Sequence, residues 1–294
     1  MKIAVIGDIH GQFKTLEKML EQIKEHNVDE VVFVGDLIDR GQESNKVVEL
    51  VKNTPNFFSV LGNHEIMLLQ NDNLANIRRG KPIERIFSGN GGNTTMNSYG
   101  YKPSSENPFP NDEQKQIFWD DVNYLLSLPL VIRYNNFKDK DVYISHSYLG
   151  PTLIASILNE HNDLYTEKDF ENKTYFYIKD IDTFLKKELS EYSNEIEKII
   201  WNRNVMHFTD MFSGPTPKQV EDNYITIFGH TQTPYYLKTK VNQCNIDDRY
   251  TYMINIDTGA AYNEQLSAVI LDTEANETKE NFVVAKLFQN VTHI

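Results

Sequence analysis

Eight short β-branched or apolar runs punctuate the chain: "KIAVIG", "EVVFVG", "FFSVLG", "LVIRY", "DVYISH", "YITIFG", "YMINID" and "SAVILD". Runs of this length, bounded by glycine or polar residues, predict strands. Between the first three lie "QFKTLEKMLEQIKEH" and "ESNKVVELVKN", whose apolar positions recur at three and four residues and predict amphipathic helices. The opening order is therefore βαβαβ, which favours a parallel sheet with right-handed crossovers. The later runs have no helices between them and are expected to form hairpin-like pairs. The predicted fold class is α/β or mixed α+β.

Two stretches read as insertions. Residues 93–113, "NTTMNSYGYKPSSENPFPNDE", are rich in Asn, Ser, Pro and Gly and predict a long surface loop. Residues 151–198 are charged and partly helical, notably "DIDTFLKKELSEYSNEIEKI". The expected organisation is a single domain over residues 1–294 carrying these two segments as solvated additions.

At 294 residues the chain can bury a sizeable core, and no stretch approaches the ~20 apolar residues of a membrane span. The apolar stretch before Asp8 is too short for a secretion signal, so a soluble cytoplasmic protein is expected. The one cysteine, Cys244, excludes a disulfide framework and a cysteine-built metal site, and reads as an inert thiol. The 29 basic and 42 acidic residues give a net charge of -13, which argues against a nucleic-acid-coating surface.

Chemistry concentrates at the strand ends. "VIGDIHG" supplies Asp8 and His10, "FVGDLIDRG" supplies Asp36, Asp39 and Arg40, and "VLGNHE" supplies Asn63 and His64. "YISHS" adds His146 and "IFGHT" adds His230. In open α/β sheets the carboxyl ends of strands line one crevice, so these residues can converge there. Asp8, Asp36, Asn63, His10, His146 and His230 together make a ligand set for divalent cations of intermediate hardness, with Asp36 able to bridge two ions. Two ions ~4 Å apart can share a hydroxide nucleophile and offset charge at phosphorus, which implies hydrolysis of a phosphate ester. His64, beside Asn63, is free to protonate the leaving oxygen, and Asp39 can orient it. Arg40 and Arg203 are candidates for gripping the nonbridging oxygens, with Asn63 beside them. Glu65 reads as a first-turn residue favoured by the helix dipole. His26, His161, His207 and His293 lack such context and read as surface residues.

"GDIHG", "GDLIDRG" and "GNHE", followed by a later His and by "GHT", resemble the signature of the phosphoprotein phosphatases within the calcineurin-like metallophosphoesterases. Within that family the likeness is to the bacteriophage-lambda type, through "LPLVIRY", "DVYISH", "IIWNR", "IFGHT" and "INIDTGAAY" in the same order, over residues 1 to about 272. The resemblance implies two facing β-sheets flanked by helices, a four-layer αββα metallophosphoesterase fold. It implies Asp8, His10 and Asp36 on one metal, and Asp36, Asn63, His146 and His230 on the other, with manganese as the usual activating ion. It likewise implies His64 as general acid paired with Asp39, and phosphate binding by Arg40 and Arg203. The implied substrates are phosphoserine and phosphothreonine in proteins, with phosphotyrosine and small phosphoesters also in range.

"SHSYLG" departs from the family's usual His-Ala-Gly after the ligand histidine. Gln232 stands where many other metallophosphoesterases have a second histidine, which favours the phosphoprotein phosphatase branch. Diadenosine tetraphosphate hydrolases typically have Ala where Asp39 stands and Gly-His-Trp in place of "GHT", which weighs against that activity. Hydrolysis of dinucleoside polyphosphates, cyclic phosphodiesters or RNA 5′-triphosphate ends is the alternative reading, and a non-catalytic metal-binding scaffold a remote one. "SGNGGNTT", residues 88–95, is similar to an Asn-Gly-Gly stretch of the phage-type enzymes; it reads as a flexible loop outside the site.

Overall fold

The computed structural model describes residues 1–137, 140–159, 164–186, 191–203, 224–233, 245–247, 252–262 and 264–273. Cys244, His161, His207 and His293 lie outside these residues, and His26 is half-buried. No helix among the described residues is long and apolar enough to cross a membrane.

The chain opens with β1 (Lys2–Ile6), α1 (Phe13–Lys24), β2 (Glu30–Phe33), α2 (Ser44–Asn53) and β3 (Phe57–Ser59), the expected βαβαβ unit. A helical stretch follows: α3 (Asn63–Leu69), α4 (Asn71–Arg78), the single turn α5 (Arg85–Phe87), α6 (Asn93–Ser98) and α7 (Asp112–Leu126). The hairpin β4 (Val131–Phe137) and β5 (Lys140–Ser145) leads to α8 (Pro151–Ile157), a second hairpin β6 (Tyr165–Phe170) and β7 (Lys173–Ile178), and helices α9 (Ile181–Leu185) and α10 (Glu191–Ile200). Strands β8 (Tyr224–Phe228), β9 (Asn245–Asp247), β10 (Tyr252–Asn255) and β11 (Ala268–Asp272) complete the described elements.

These strands form two sheets, a four-stranded one in the order β11-β1-β2-β3 and a seven-stranded one in the order β6-β7-β4-β5-β8-β10-β9. Alternation along each strand explains why they stack. Ile3, Val5, Val32, Val34, Val269 and Leu271 of the smaller sheet share one buried cluster with Ile132, Val142, Ile144, Ile225, Ile227 and Ile254 of the larger. The intervening residues Ala4, Ile6, Val31, Phe33, Tyr143 and Ile270 turn outward into a second cluster that contains the helices' apolar faces. On α1 that face is Leu16, Met19 and Ile23, the three-to-four spacing of an amphipathic helix. On α7 the start is fixed by Asn111, whose side chain accepts from Gln114 N, followed by acidic Asp112 and Glu113 in the first turn. The result is two facing sheets flanked by helices.

Three features differ from the sequence reading. Strands β1, β2 and β3 are parallel as expected, but β5, β8 and β10 are parallel too, rather than paired only as hairpins. The segment 93–113 is not a plain surface loop: it begins with α6 and buries Thr95, Met96, Tyr99, Tyr101 and Phe109. The segment 151–198 contributes more than helices, because β7 pairs with β4 and β6 forms the edge of the large sheet. Strand β6 escaped notice because, after Tyr165, its residues are all exposed and charged or polar side chains hide any alternation.

A polar tie crosses the apolar layer between the sheets. Lys173 on β7, buried, is ion-paired with Glu30 on β2, and Tyr134 on β4 donates its hydroxyl to the same carboxylate at 2.6 Å. The ammonium also lies 4.4 Å from the ring centre of Phe58 on β3. Removing one partner of a buried pair leaves the other uncompensated. Lys173→Met is therefore expected to lower stability to urea by about 2–4 kcal/mol, and adding Glu30→Gln to recover most of that loss. Equal unfolding midpoints for the wild type and Lys173→Met would contradict this.

Candidate active site

The two parallel triplets, β1-β2-β3 and β5-β8-β10, place six strand ends around one region. Asp8 and His10 follow β1; Asp36, Asp39 and Arg40 follow β2; Asn63 and His64 open α3 after β3. His146 follows β5 and His230 follows β8. Asp257, which the sequence reading did not single out, follows β10 by the same logic, and its acidic residue after an apolar run was a usable signal.

Asp36 is central. Its Oδ2 lies 3.4 Å from His10 Nε2 and 3.8 Å from His64 Nε2, while its Oδ1 lies 3.4 Å from His146 Nε2 and accepts the backbone N–H of His64 at 3.0 Å. Burial pushes this carboxyl up, but His146, His64 and His10 hold it below the usual carboxylate range. Its neighbour Asp8 is pushed well up by burial, with Asp257 and Asp36 adding to the shift, and it accepts the backbone N–H of His230. Burial likewise raises Asp257 to about 6.

The imidazoles are held in defined tautomers. His10 Nδ1 donates to the Ile38 carbonyl and His146 Nδ1 to the Val34 carbonyl, each at 2.9 Å, so their Nε2 lone pairs face inward. Burial keeps His10, His146 and His230 below the ordinary histidine range and hence neutral. His146 Nε2 then meets Asn63 Oδ1, another acceptor, at 2.7 Å, with His230 Nδ1 at 3.1 Å from the former and 2.8 Å from the latter. Acceptors crowded this closely repel unless a cation, or a proton on His230 Nδ1, lies among them. Buried His230 Nε2 has no hydrogen-bond partner among the described residues. The groups His10–Asp36–His64 and Asp8–Asp36–His146 each gather potential ligand atoms within 4.8 Å. Carboxylates, a carboxamide and neutral imidazoles in this arrangement fit divalent ions of intermediate hardness.

His64 sits differently. Its Nδ1 donates to Asp39 Oδ2 at 2.6 Å, and its Nε2 receives an Arg40 N–H at 3.1 Å. Burial would lower its pKa, but the charges of Asp36 and Asp39 and the Asp39 hydrogen bond raise it. Arg40 also donates to His10 Nε2 at 2.9 Å and lies over the Tyr262 ring, 5.0 Å from its centre. Arg40, Arg203, His230, Asp257 and Tyr262 line a cavity of about 390 Å³, and exposed Trp201 stands edge-on to His230. The structure thus gathers all ten sequence-predicted site residues into one contiguous cluster.

The backbone here is tight. His10, Asp36, Asp39, Arg40 and His230 all adopt positive φ, between 49° and 74°, a conformation L-residues usually avoid. Close approach explains two glycines of the motifs: a Cβ at Gly62 would strike the backbone N and carboxylate of Asp36, and one at Gly229 the carboxylate of Asp8.

One sequence reading is extended and another changes. Glu65 stands in the first turn of α3 as expected, but its reach goes beyond that helix: fully buried, it accepts the N–H groups of Gly62, Asp36 and Leu37 at 2.9 Å, and of Ile38 at 3.4 Å. Burial and the Asp36 charge push its carboxyl up to about 8, against the pull of the Asp36 amide. The stretch 88–95 is not detached from the site either, since Gly91 O receives the Arg40 N–H at 3.4 Å and Thr95 bonds to Asp39.

The family model for the calcineurin-like phosphoesterases matches residues 1–250. Serine/threonine-protein phosphatase 2 of Escherichia coli strain K12 is 48% identical over 69 residues, covering 23% of this chain and 31% of that protein. A symmetrical bis(5′-nucleosyl)-tetraphosphatase of Actinobacillus succinogenes is 42% identical over 71 residues, 24% of this chain and 26% of that one. These matches span less than two thirds of the relatives' own length. A protein serine/threonine phosphatase structure from Saccharomyces cerevisiae aligns over 100% of this chain and 81% of its own, with a TM-score of 0.50 and 14% identity, and thus shares the fold. Strand-end carboxylates and imidazoles, sandwich and family match agree: the chain belongs to the calcineurin-like phosphoesterase family.

Proposed function

We propose that the chain is a dinuclear-metal phosphatase of one catalytic domain that hydrolyses phosphomonoesters, with phosphoserine and phosphothreonine in cytoplasmic proteins as its main substrates and phosphotyrosine within reach. The observation that carries this reading is the His64–Asp39 pair, bonded at 2.6 Å and set beside a donor set of two carboxylates, a carboxamide and three imidazoles. Asp8, His10 and Asp36 would hold one ion, and Asp36, Asn63, His146 and His230 the other, with manganese as the proposed ion. Divalent ions at such a site lower the pKa of water and offset charge on phosphoryl oxygens.

The protein's own groups supply the rest. Arg40 and Arg203 line the same cavity, and their planar forks suit the nonbridging oxygens of a phosphoryl group. Arg40 reaches both His10 and His64, so a group held by its fork lies within reach of His64 Nε2. With Nδ1 anchored on Asp39, the doubly protonated form of His64 would present an Nε2–H to the leaving alkoxide once the Arg40 N–H has turned from Nε2 to the phosphoryl group. No covalent phosphoenzyme is needed.

A second reading, hydrolysis of dinucleoside polyphosphates, is favoured by one observation: the similarity to the bis(5′-nucleosyl)-tetraphosphatases. Both reactions use the same centre, so substrates must separate them. With manganese present, a phosphoserine peptide is expected to give at least ~10-fold higher kcat/KM than diadenosine tetraphosphate or a 2′,3′-cyclic nucleotide, a margin of about 1.4 kcal/mol. The reverse order in that panel selects the second reading.

Two variants probe the centre. His64→Asn is expected to keep its metal content while kcat on the peptide falls by roughly 10²- to 10⁴-fold. An unchanged kcat removes His64 from the reaction. Chelation is expected to abolish hydrolysis and manganese to restore it, whereas Asp36→Asn, which alters the carboxylate shared by both ligand groups, is expected to bind fewer than two ions by elemental analysis. Two ions retained in Asp36→Asn would contradict the bridging role.

A further inference from the structure

The hydroxyl of Thr95 is spent on a residue 56 positions away. Its neighbours in and beside α6 make the usual local bonds: Thr94 Oγ1 donates to Gly91 O and Ser98 Oγ to Thr95 O, each at 2.7 Å. Thr95 instead donates to Asp39 Oδ1 at 2.6 Å and accepts the Asp39 backbone N–H at 2.8 Å. All three groups of this contact are fully buried with Ser44, whose Oγ lies 3.1 Å from both Thr95 Oγ1 and Asp39 N.

The consequences for Asp39 are geometric. One carboxylate oxygen is taken by Thr95 and the other by His64 Nδ1, so the carboxylate plane is fixed from both sides. Its backbone, at φ 74°, is held by the same threonine. The approach is close along the whole contact, since a Cβ on Gly91 would lie 2.7 Å from Arg40 N. The helix α6 and the glycine turn before it therefore form a wall behind the Asp39–Arg40 turn.

We propose that Thr95 is a positioning residue for proton donation: by fixing Asp39, it fixes the imidazole of His64 so that Nε2 meets the leaving oxygen. This rests on the phosphomonoester reading above, with His64 as the donor. Among the described residues Thr95 bonds to no member of the donor set and does not line the cavity; its hydroxyl meets Asp39 and Ser44, and it acts on the site through Asp39.

Leaving groups distinguish this role from a merely structural one. A phosphoserine alkoxide must be protonated as it departs, whereas p-nitrophenolate leaves readily without a proton. Thr95→Val keeps the shape and removes the hydroxyl. Loss of a hydrogen bond to a buried charge predicts a kcat about 10-fold lower on a phosphoserine peptide, and near wild-type on p-nitrophenyl phosphate. Thr95→Ser should restore the peptide rate, and in a His64→Asn background Thr95→Val should cost nothing further, because the donor it positions is gone. If Thr95→Val does not fold, Thr95→Cys, of similar shape with a weaker donor, should show the same substrate-selective loss. Equal losses on both esters, an unchanged peptide rate, or a full further loss without His64 overturns this inference alone. A wild-type protein that hydrolyses neither ester overturns it together with the phosphatase reading.

Discussion

Four backbone N–H groups from two strand ends converge on one buried carboxylate, Glu65. Three come from the turn after β2 and one from the turn after β3, so a single side chain fixes the relative position of "GDLID" and "GNHE". Buried amide donors must be satisfied, and no apolar replacement at position 65 can satisfy four. Asp36 follows from this tie, because its own N–H is among the four. With Asp36 placed, the inward faces of His10, His64 and His146 acquire a common neighbour.

The five left-handed residues at the strand ends each cost about 1 kcal/mol or more, and they persist because the turns are bonded to one another. His10 N donates to Asp36 O at 2.8 Å, Gly11 N to Leu37 O at 2.9 Å and Gly41 N to His10 O at 2.9 Å. Each strained turn is thus a strut for the next. The turns that carry the clustered side chains are positioned by bonds within the protein itself.

The strands that carry the site were legible because both periods are local: alternation along a strand, and a polar residue directly after an apolar run. Five of the six strand ends announced themselves in this way, and Asp257 carried the same mark. Strand β6 lay hidden because an exposed edge strand has no buried face to alternate. The distant bonds of Glu65 and Thr95 lay hidden for a different reason. Besides its local partner Gly62, Glu65 bonds to residues 27 to 29 positions away, and Thr95 to one 56 positions away, so position beside a helix start or in a glycine-rich stretch pointed only to local roles. Side-chain-to-backbone bonds over such separations leave no periodic trace.

The two sheets divide the donors between them. Asp8, His10, Asp36 and Asn63 stand at the ends of the smaller sheet, His146 and His230 at the ends of the larger, so the cluster of donor atoms is completed across the sandwich. The cross-links are explicit: Val34 O, after β2, holds His146 Nδ1, and Asp8, after β1, accepts the backbone N–H of His230. Sheet separation is set by the apolar layer of Val5, Val34, Val60, Ile144, Ile227 and Ile256, all buried in one cluster, and such interiors tolerate little change of volume. That layer therefore acts as the spacer of the site. A change of volume there shifts one half of the donor set against the other, so packing and chemistry in this fold are one constraint.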